Sequence, residues 1–174
     1  FEVDQPSFVK IETVNKKTIK SNDLEKVITL EIGLASCTVL WNKDCFKNRR
    51  FNENLMYAEE WECYTRILSE GYEGIIIDTV LYFNRKHPNS NTGEFFNNNP
   101  IRKASNKEAI LLVIQNLQQK GLLTNDLLHY FIQISLDYKE FDLFETILNT
   151  AKLSFVNRIK FQLFYIFLPL ILYL

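Results

Sequence analysis

Two short stretches carry the residue types that could do chemistry. Residues 57–66 read Tyr-Ala-Glu-Glu-Trp-Glu-Cys-Tyr-Thr-Arg, which sets Glu59 and Glu60 side by side before Trp61, with Arg66 further along. Residues 81–87 read Leu-Tyr-Phe-Asn-Arg-Lys-His, a run that delivers Arg85 and His87 into a polar segment. A carboxylate beside a nucleophilic hydroxyl can act as its general base. Arginine fits the geometry of a phosphate that gains charge as it departs. The combined chemistry would be base-assisted attack by a hydroxyl, with loss of a phosphate-bearing group.

Positioning these residues requires a helix and strands around them. Tyr64, Ile67 and Leu68 follow Trp61 at helical spacing, so residues 58–70 read as a helix with an apolar face, stopped by Gly71. Residues 74–78 (GIIID) read as a buried strand and residues 80–84 as a second one. Upstream, the alternation in residues 8–14 predicts a strand. Ser21-Asn22-Asp23 offers capping chemistry for a helix over 24–32, stopped by Gly33. The small and β-branched run 34–41 predicts a buried strand, and 42–50 a turn with a short helix. Residues 86–100, rich in Asn and Ser and holding Pro88, Gly93 and Pro100, read as a loop. Beyond Pro100 the pattern predicts helices over 101–121, 126–139, 141–152 and 155–174. The first has an apolar stripe of Ile110, Val113, Ile114 and Leu117. The expected organisation is an α/β portion over residues 1–100 and a helical extension over 101–174.

Composition narrows the function classes. With 174 residues, 47% of them hydrophobic, the chain can build a core and is not a disordered segment. A formal net charge of −1 supplies no basic footprint, which argues against nucleic acid as a partner. Cys37, Cys45 and Cys63 are an odd number without C-x-x-C spacing, which argues against a disulfide framework or zinc site and favours a reducing, cytoplasmic setting.

Taken in order, Phe51-Asn52-Glu53, then Glu59-Glu60-Trp61-Glu62 with Arg66, then Leu81-Tyr82-Phe83-Asn84-Arg85 resemble the C-terminal half of family 2 glycosyltransferases. The resemblance covers about residues 30–92. It implies the C-terminal, acceptor-side portion of a GT-A (Rossmann-like) domain and an inverting transfer of sugar from a nucleotide-sugar donor to a glycan or lipid-linked acceptor. Glu60 stands where the family has its catalytic Asp, so it would be the general base, on a side chain one methylene longer. Glu59, Trp61, Arg66, Arg85 and His87 would line the substrate site, with Arg85 and His87 toward the donor diphosphate. The bland alternatives are N-terminal helix acids for Glu59 and Glu60, core filling for Trp61, an i,i+4 pair with Glu62 for Arg66, and a solvated turn for His87. His129 reads as structural.

Similar enzymes bind Mg²⁺ or Mn²⁺ through an Asp-x-Asp motif, and this chain contains none; Glu2-Val3-Asp4 only approximates one. A Gly-rich phosphate loop is absent as well, and the first residue is Phe1. The expectation is therefore part of a larger enzyme, inactive toward donor on its own. Residues 161–174 carry no charge but are fewer than the roughly 20 needed to span a bilayer. Lys152, Arg158 and Lys160 precede them, which suits peripheral docking on an anionic inner-membrane surface. The competing class is a non-catalytic helical binding module for a protein partner or membrane surface.

Overall fold

The computed structural model describes residues 15–82, 87, 90–138 and 140–172. The chain is mixed α/β and mostly helical. The strand expected over residues 8–14 lies outside the described residues. A two-stranded antiparallel sheet pairs β1 (Lys16–Ile19) with β2 (Gly74–Ile77), in register Lys16 to Ile77 and Ile19 to Gly74. The second strand was expected to be buried, yet Ile75 and Ile77 are exposed.

The first helix, α1 (Leu24–Ile28), follows a 3₁₀ turn over Ser21–Asp23 and ends well before Gly33. Leu30 adopts a left-handed φ of 64°, and the Ile32 N–H closes onto the Lys26 carbonyl. The run 34–41 is not a strand. It makes a 3₁₀ turn at Ser36–Thr38, in which the Thr38 hydroxyl and N–H both donate to the Ala35 carbonyl. Local side-chain hydrogen bonds of this kind compete with a sheet ladder. Its apolar residues Leu34, Val39 and Trp41 still reach the core, packing on Cys45, Cys63, Tyr64 and Ile67.

The central helix, α2 (Glu59–Leu68), buries Tyr64, Ile67 and Leu68 as their spacing requires, and Gly71 closes it with φ 88°. Residues 80–82 form no strand; Val80, Leu81 and Tyr82 are exposed. The segment read as a loop holds a short helix, α3 (Asn91–Phe96), whose start is capped by the Ser90 hydroxyl accepting from Gly93 N–H at 3.0 Å. Next comes α4 (Pro100–Gln119), with Pro100 in its first turn and the Asn99 side chain capping Ile101 and Arg102. Ile110, Val113, Ile114 and Leu117 are all buried, as their stripe predicts.

α4 packs on α2 and α3, so it belongs to the first of two compact units, which ends at Leu122. The helical run that begins at Pro100 is thus shared between the units. The second unit begins at Leu123 and contains α5 (Asn125–Asp137), α6 (Phe141–Thr150) and α7 (Phe155–Leu172). Its core joins Leu127, Leu128 and Phe131 of α5 to Leu143, Phe144, Ile147 and Leu148 of α6.

α2 and α4 lie side by side and parallel, tied at both ends. At the start, the Ser105 hydroxyl accepts from the N–H groups of Met56 and Tyr57 and donates to the Tyr57 carbonyl, each at 2.8 Å. At the far end, Asn116 and Lys120 donate to the Ser69 hydroxyl at 3.0 and 2.9 Å, and Lys120 also pairs with Glu70. The Arg49 guanidinium, hydrogen-bonded to Glu70, holds that carboxyl below its ordinary value, and Lys120 adds to the effect.

Two expectations follow. Ser105→Ala removes the partner of two part-buried N–H groups and should lower the unfolding free energy by about 0.5–1.5 kcal/mol in urea titration; an unchanged midpoint would contradict the triple hydrogen bond. Glu70, with its lowered folded value, contributes stability that is full above its ordinary value near 4.5 and is lost as pH falls through the lowered one. Glu70→Gln should therefore flatten part of the acid limb of a stability–pH curve, and an unaltered limb would rule the linkage out.

Candidate functional site

The turn before α2 places the paired carboxylates. Ala58 is its N-terminal residue and sits at φ 63°, ψ 15°, a left-handed conformation disfavoured for any residue with a Cβ. The hydrogen bonds from Ser105 to Met56 and Tyr57 hold the preceding backbone. Arg102 of α4 adds a bond to the Met56 carbonyl, while its remaining nitrogens reach Glu94 at 2.8 Å and Asn91 at 2.9 Å on α3. Stacking of Tyr57 on Phe95, with centroids 4.6 Å apart, packs the turn onto α3. Together these contacts compensate for the conformational cost at Ala58.

Glu59, Glu60 and Glu62 all fall in the first turn of α2, where the exposed N–H groups favour anions. Ala58 supplies no side-chain cap, so the acids are the compensating groups there. Their surroundings differ. Glu60 is half-buried, and one of its oxygens accepts from Ser36 N–H at 3.1 Å. Its other oxygen has no hydrogen-bond partner among the described residues. The neighbouring loop presents Cys37, which is exposed. Tyr64, one turn along α2, has its phenol raised by burial, and the Glu60 charge adds to the rise. Glu59 is half-buried beside Tyr57, whose phenol burial raises, with the Glu59 charge adding to it.

The other expected site residues divide. Trp61 is half-buried, and its indole N–H donates to the Ile28 carbonyl at 3.1 Å, fastening α2 to α1. Arg66 sits in the last turn of α2, about 120° around the helix from Glu60. Its guanidinium grips Glu62 through Nε at 2.7 Å and Nη2 at 2.9 Å, and Nη2 also donates to the Arg50 carbonyl at 2.8 Å. Glu62 is only 5% exposed, so this pair is an internal one and not the solvent-exposed i,i+4 pair that the spacing suggests. Arg85 lies outside the described residues. His87 is exposed, and its carbonyl accepts from Ser90 N–H. The structure thus gathers Glu59, Glu60 and Trp61 at one end of α2 and assigns Arg66 to the other.

The 36–41 loop was not legible as part of the site. Its hydrogen bond to Glu60 spans 24 residues of sequence and has no local signal. Cys63, below the site, is fully buried, and burial pushes its thiol up to about 11, which leaves it a neutral packing group. Among the described residues, no group of three or more His, Cys, Asp or Glu side chains could hold a metal ion. A cavity of about 620 Å³ lies in the second unit, lined by His129, Gln133, Lys160 and Phe161 among others. There His129 contacts the Asn125 carbonyl at 2.7 Å and packs edge-on against Phe161.

No protein-family model, no curated protein and no solved structure matches this chain. The functional reading rests on its residues and their geometry.

The Glu62–Arg66 pair yields a direct test of the role of Arg66. Arg66→Ala leaves a buried carboxylate unpaired and should cost about 3–5 kcal/mol of stability. The double substitution Glu62→Gln with Arg66→Met should recover most of that loss, as read from urea midpoints. A single variant with wild-type stability would return Arg66 to the candidates for substrate contact.

Proposed function

We propose that this chain is the acceptor-side portion of an inverting glycosyltransferase of the family 2 type, with Glu60 as its general base. The observation that carries the reading is the state of the Glu60 carboxylate. It is half-buried at a helix N-terminus and oriented by one backbone N–H, and its second oxygen has no hydrogen-bond partner among the described residues. A general base must reach the proton it removes at hydrogen-bond distance, and a fixed carboxylate with one open oxygen meets that need.

In this reading an acceptor sugar hydroxyl approaches the open oxygen of Glu60. Glu60 takes the proton as the hydroxyl oxygen attacks the anomeric carbon of the donor. The bond from that carbon to the nucleotide diphosphate breaks from the opposite face, and the configuration inverts. The 36–41 loop, through the Ser36 N–H, orients the carboxylate on one side. Arg85 and His87 follow Tyr82 in sequence and are proposed to meet the departing diphosphate. Arg66 has no part in this step, because its guanidinium is occupied by Glu62 and Arg50. Among the described residues no group of three or more His, Cys, Asp or Glu side chains is placed to hold the Mg²⁺ or Mn²⁺ that the family resemblance implies.

The test is sugar transfer from a panel of nucleotide-sugars, measured on the protein that carries this chain and on its Glu60→Gln variant. The amide keeps the side-chain shape and an oxygen to accept from Ser36, so folding should be preserved. Transfer should fall about 10²–10⁴-fold with an unchanged melting midpoint. Equal rates would remove Glu60 from the mechanism.

A further inference from the structure

α7 meets its own unit through polar groups and through Phe161, which packs edge-on against His129 of α5. The side that meets α6 is polar: Arg158 donates to Asn149 at 2.6 Å and to Glu145 at 2.9 Å, and Gln162 donates to Glu145 at 3.1 Å. A second arc of the helix, beside these polar groups, is apolar and exposed. Phe155, Val156, Ile159, Leu163 and Phe167 are each between 37% and 77% exposed. At about 100° per residue these five fall within about 120° of helix arc, a continuous stripe. An amphipathic helix of a globular unit ordinarily buries such a stripe and exposes its polar residues.

We infer that this stripe is a docking face for an anionic lipid surface, with α7 lying in the plane of the interface. The charge pattern selects that occupant. No Asp or Glu occurs after Glu145, and the exposed cations in that stretch are Lys152 and Lys160. Lys160 borders the stripe, where its ammonium can reach headgroup phosphates while its methylenes lie along the apolar boundary. Arg158, which the sequence alone assigns to the headgroups, is turned inward to Glu145 and is not part of the contact. Insertion across the bilayer is a different arrangement: among the described residues no helix is long and apolar enough to cross a membrane. A helix with an apolar face, a basic margin and no acids instead seats at the boundary between headgroups and acyl chains.

The experiment is co-sedimentation of the whole protein with two vesicle preparations, phosphatidylcholine alone and phosphatidylcholine mixed with phosphatidylglycerol. The protein should sediment with the anionic vesicles, and binding should weaken as salt is raised. Leu163→Glu with Phe167→Glu should reduce binding about a hundredfold, and Lys160→Glu should weaken it further. Both positions are exposed, so circular dichroism and the urea midpoint should match wild type. Two outcomes would overturn the inference. One is undiminished vesicle binding by the double variant. The other is no vesicle binding by wild type, including the case in which the stripe proves to be a self-association surface by sedimentation equilibrium. The result is independent of the transfer assay, which reads Glu60.

Discussion

The Ser105 hydroxyl is the contact on which the geometry of the first unit turns. It uses its full hydrogen-bonding capacity on two adjacent residues, accepting from Met56 and Tyr57 and donating back to Tyr57. The next residue, Ala58, is left-handed, and α2 begins immediately after it. A backbone held on both sides of one peptide can sustain a conformation that an isolated turn would abandon. Arg102, one turn earlier on α4, secures the Met56 carbonyl and ties α3 into the same arrangement. The direction in which α2 leaves the turn, and with it the placement of Glu59 and Glu60, is therefore set by a helix more than forty residues away in sequence.

Neighbouring carboxylates acquire different roles from this frame. Glu62 turns inward and is neutralised by Arg66, so it serves as an internal brace. Glu60 turns toward the 36–41 loop, where it accepts from the Ser36 N–H. Glu59 has no hydrogen-bond partner among the described residues. Three glutamates within four positions thus differ in surroundings by what each meets across the helix, not by their own chemistry. In the second unit, Arg158 and Gln162 of α7 bind Glu145 while Phe155, Val156, Ile159, Leu163 and Phe167 remain exposed.

Local features of the fold are legible in the sequence, and long-range ones are not. The apolar faces of α2 and α4 were visible in the spacing of Tyr64, Ile67 and Leu68 and of Ile110, Val113, Ile114 and Leu117, because helical periodicity is a property of neighbours. Gly71 was visible as a helix stop for the same reason. The run 34–41 looked like a strand because its composition is β-prone, yet its backbone groups are taken by Thr38 and by Glu60, partners that composition does not reveal. α3 was obscured by Asn-rich surroundings, although Ser90 three residues before Gly93 was an available capping signal. The adjacent carboxylates were legible as a motif; the loop that orients Glu60 and the clamp from Ser105 were not, since both join distant positions.

Hydrogen exchange at the amides of Met56 and Tyr57 tests the central claim most directly. Both lie in a turn outside any helix or strand, where exchange would ordinarily be fast. If Ser105 holds them, their protection should approach that of the buried amides of α4, such as Ala109 and Ile110, and should disappear selectively in Ser105→Ala. Exchange at the rate of an open loop in the wild-type protein would show that α4 does not clamp the turn, and the placement of Glu60 would lose its physical basis.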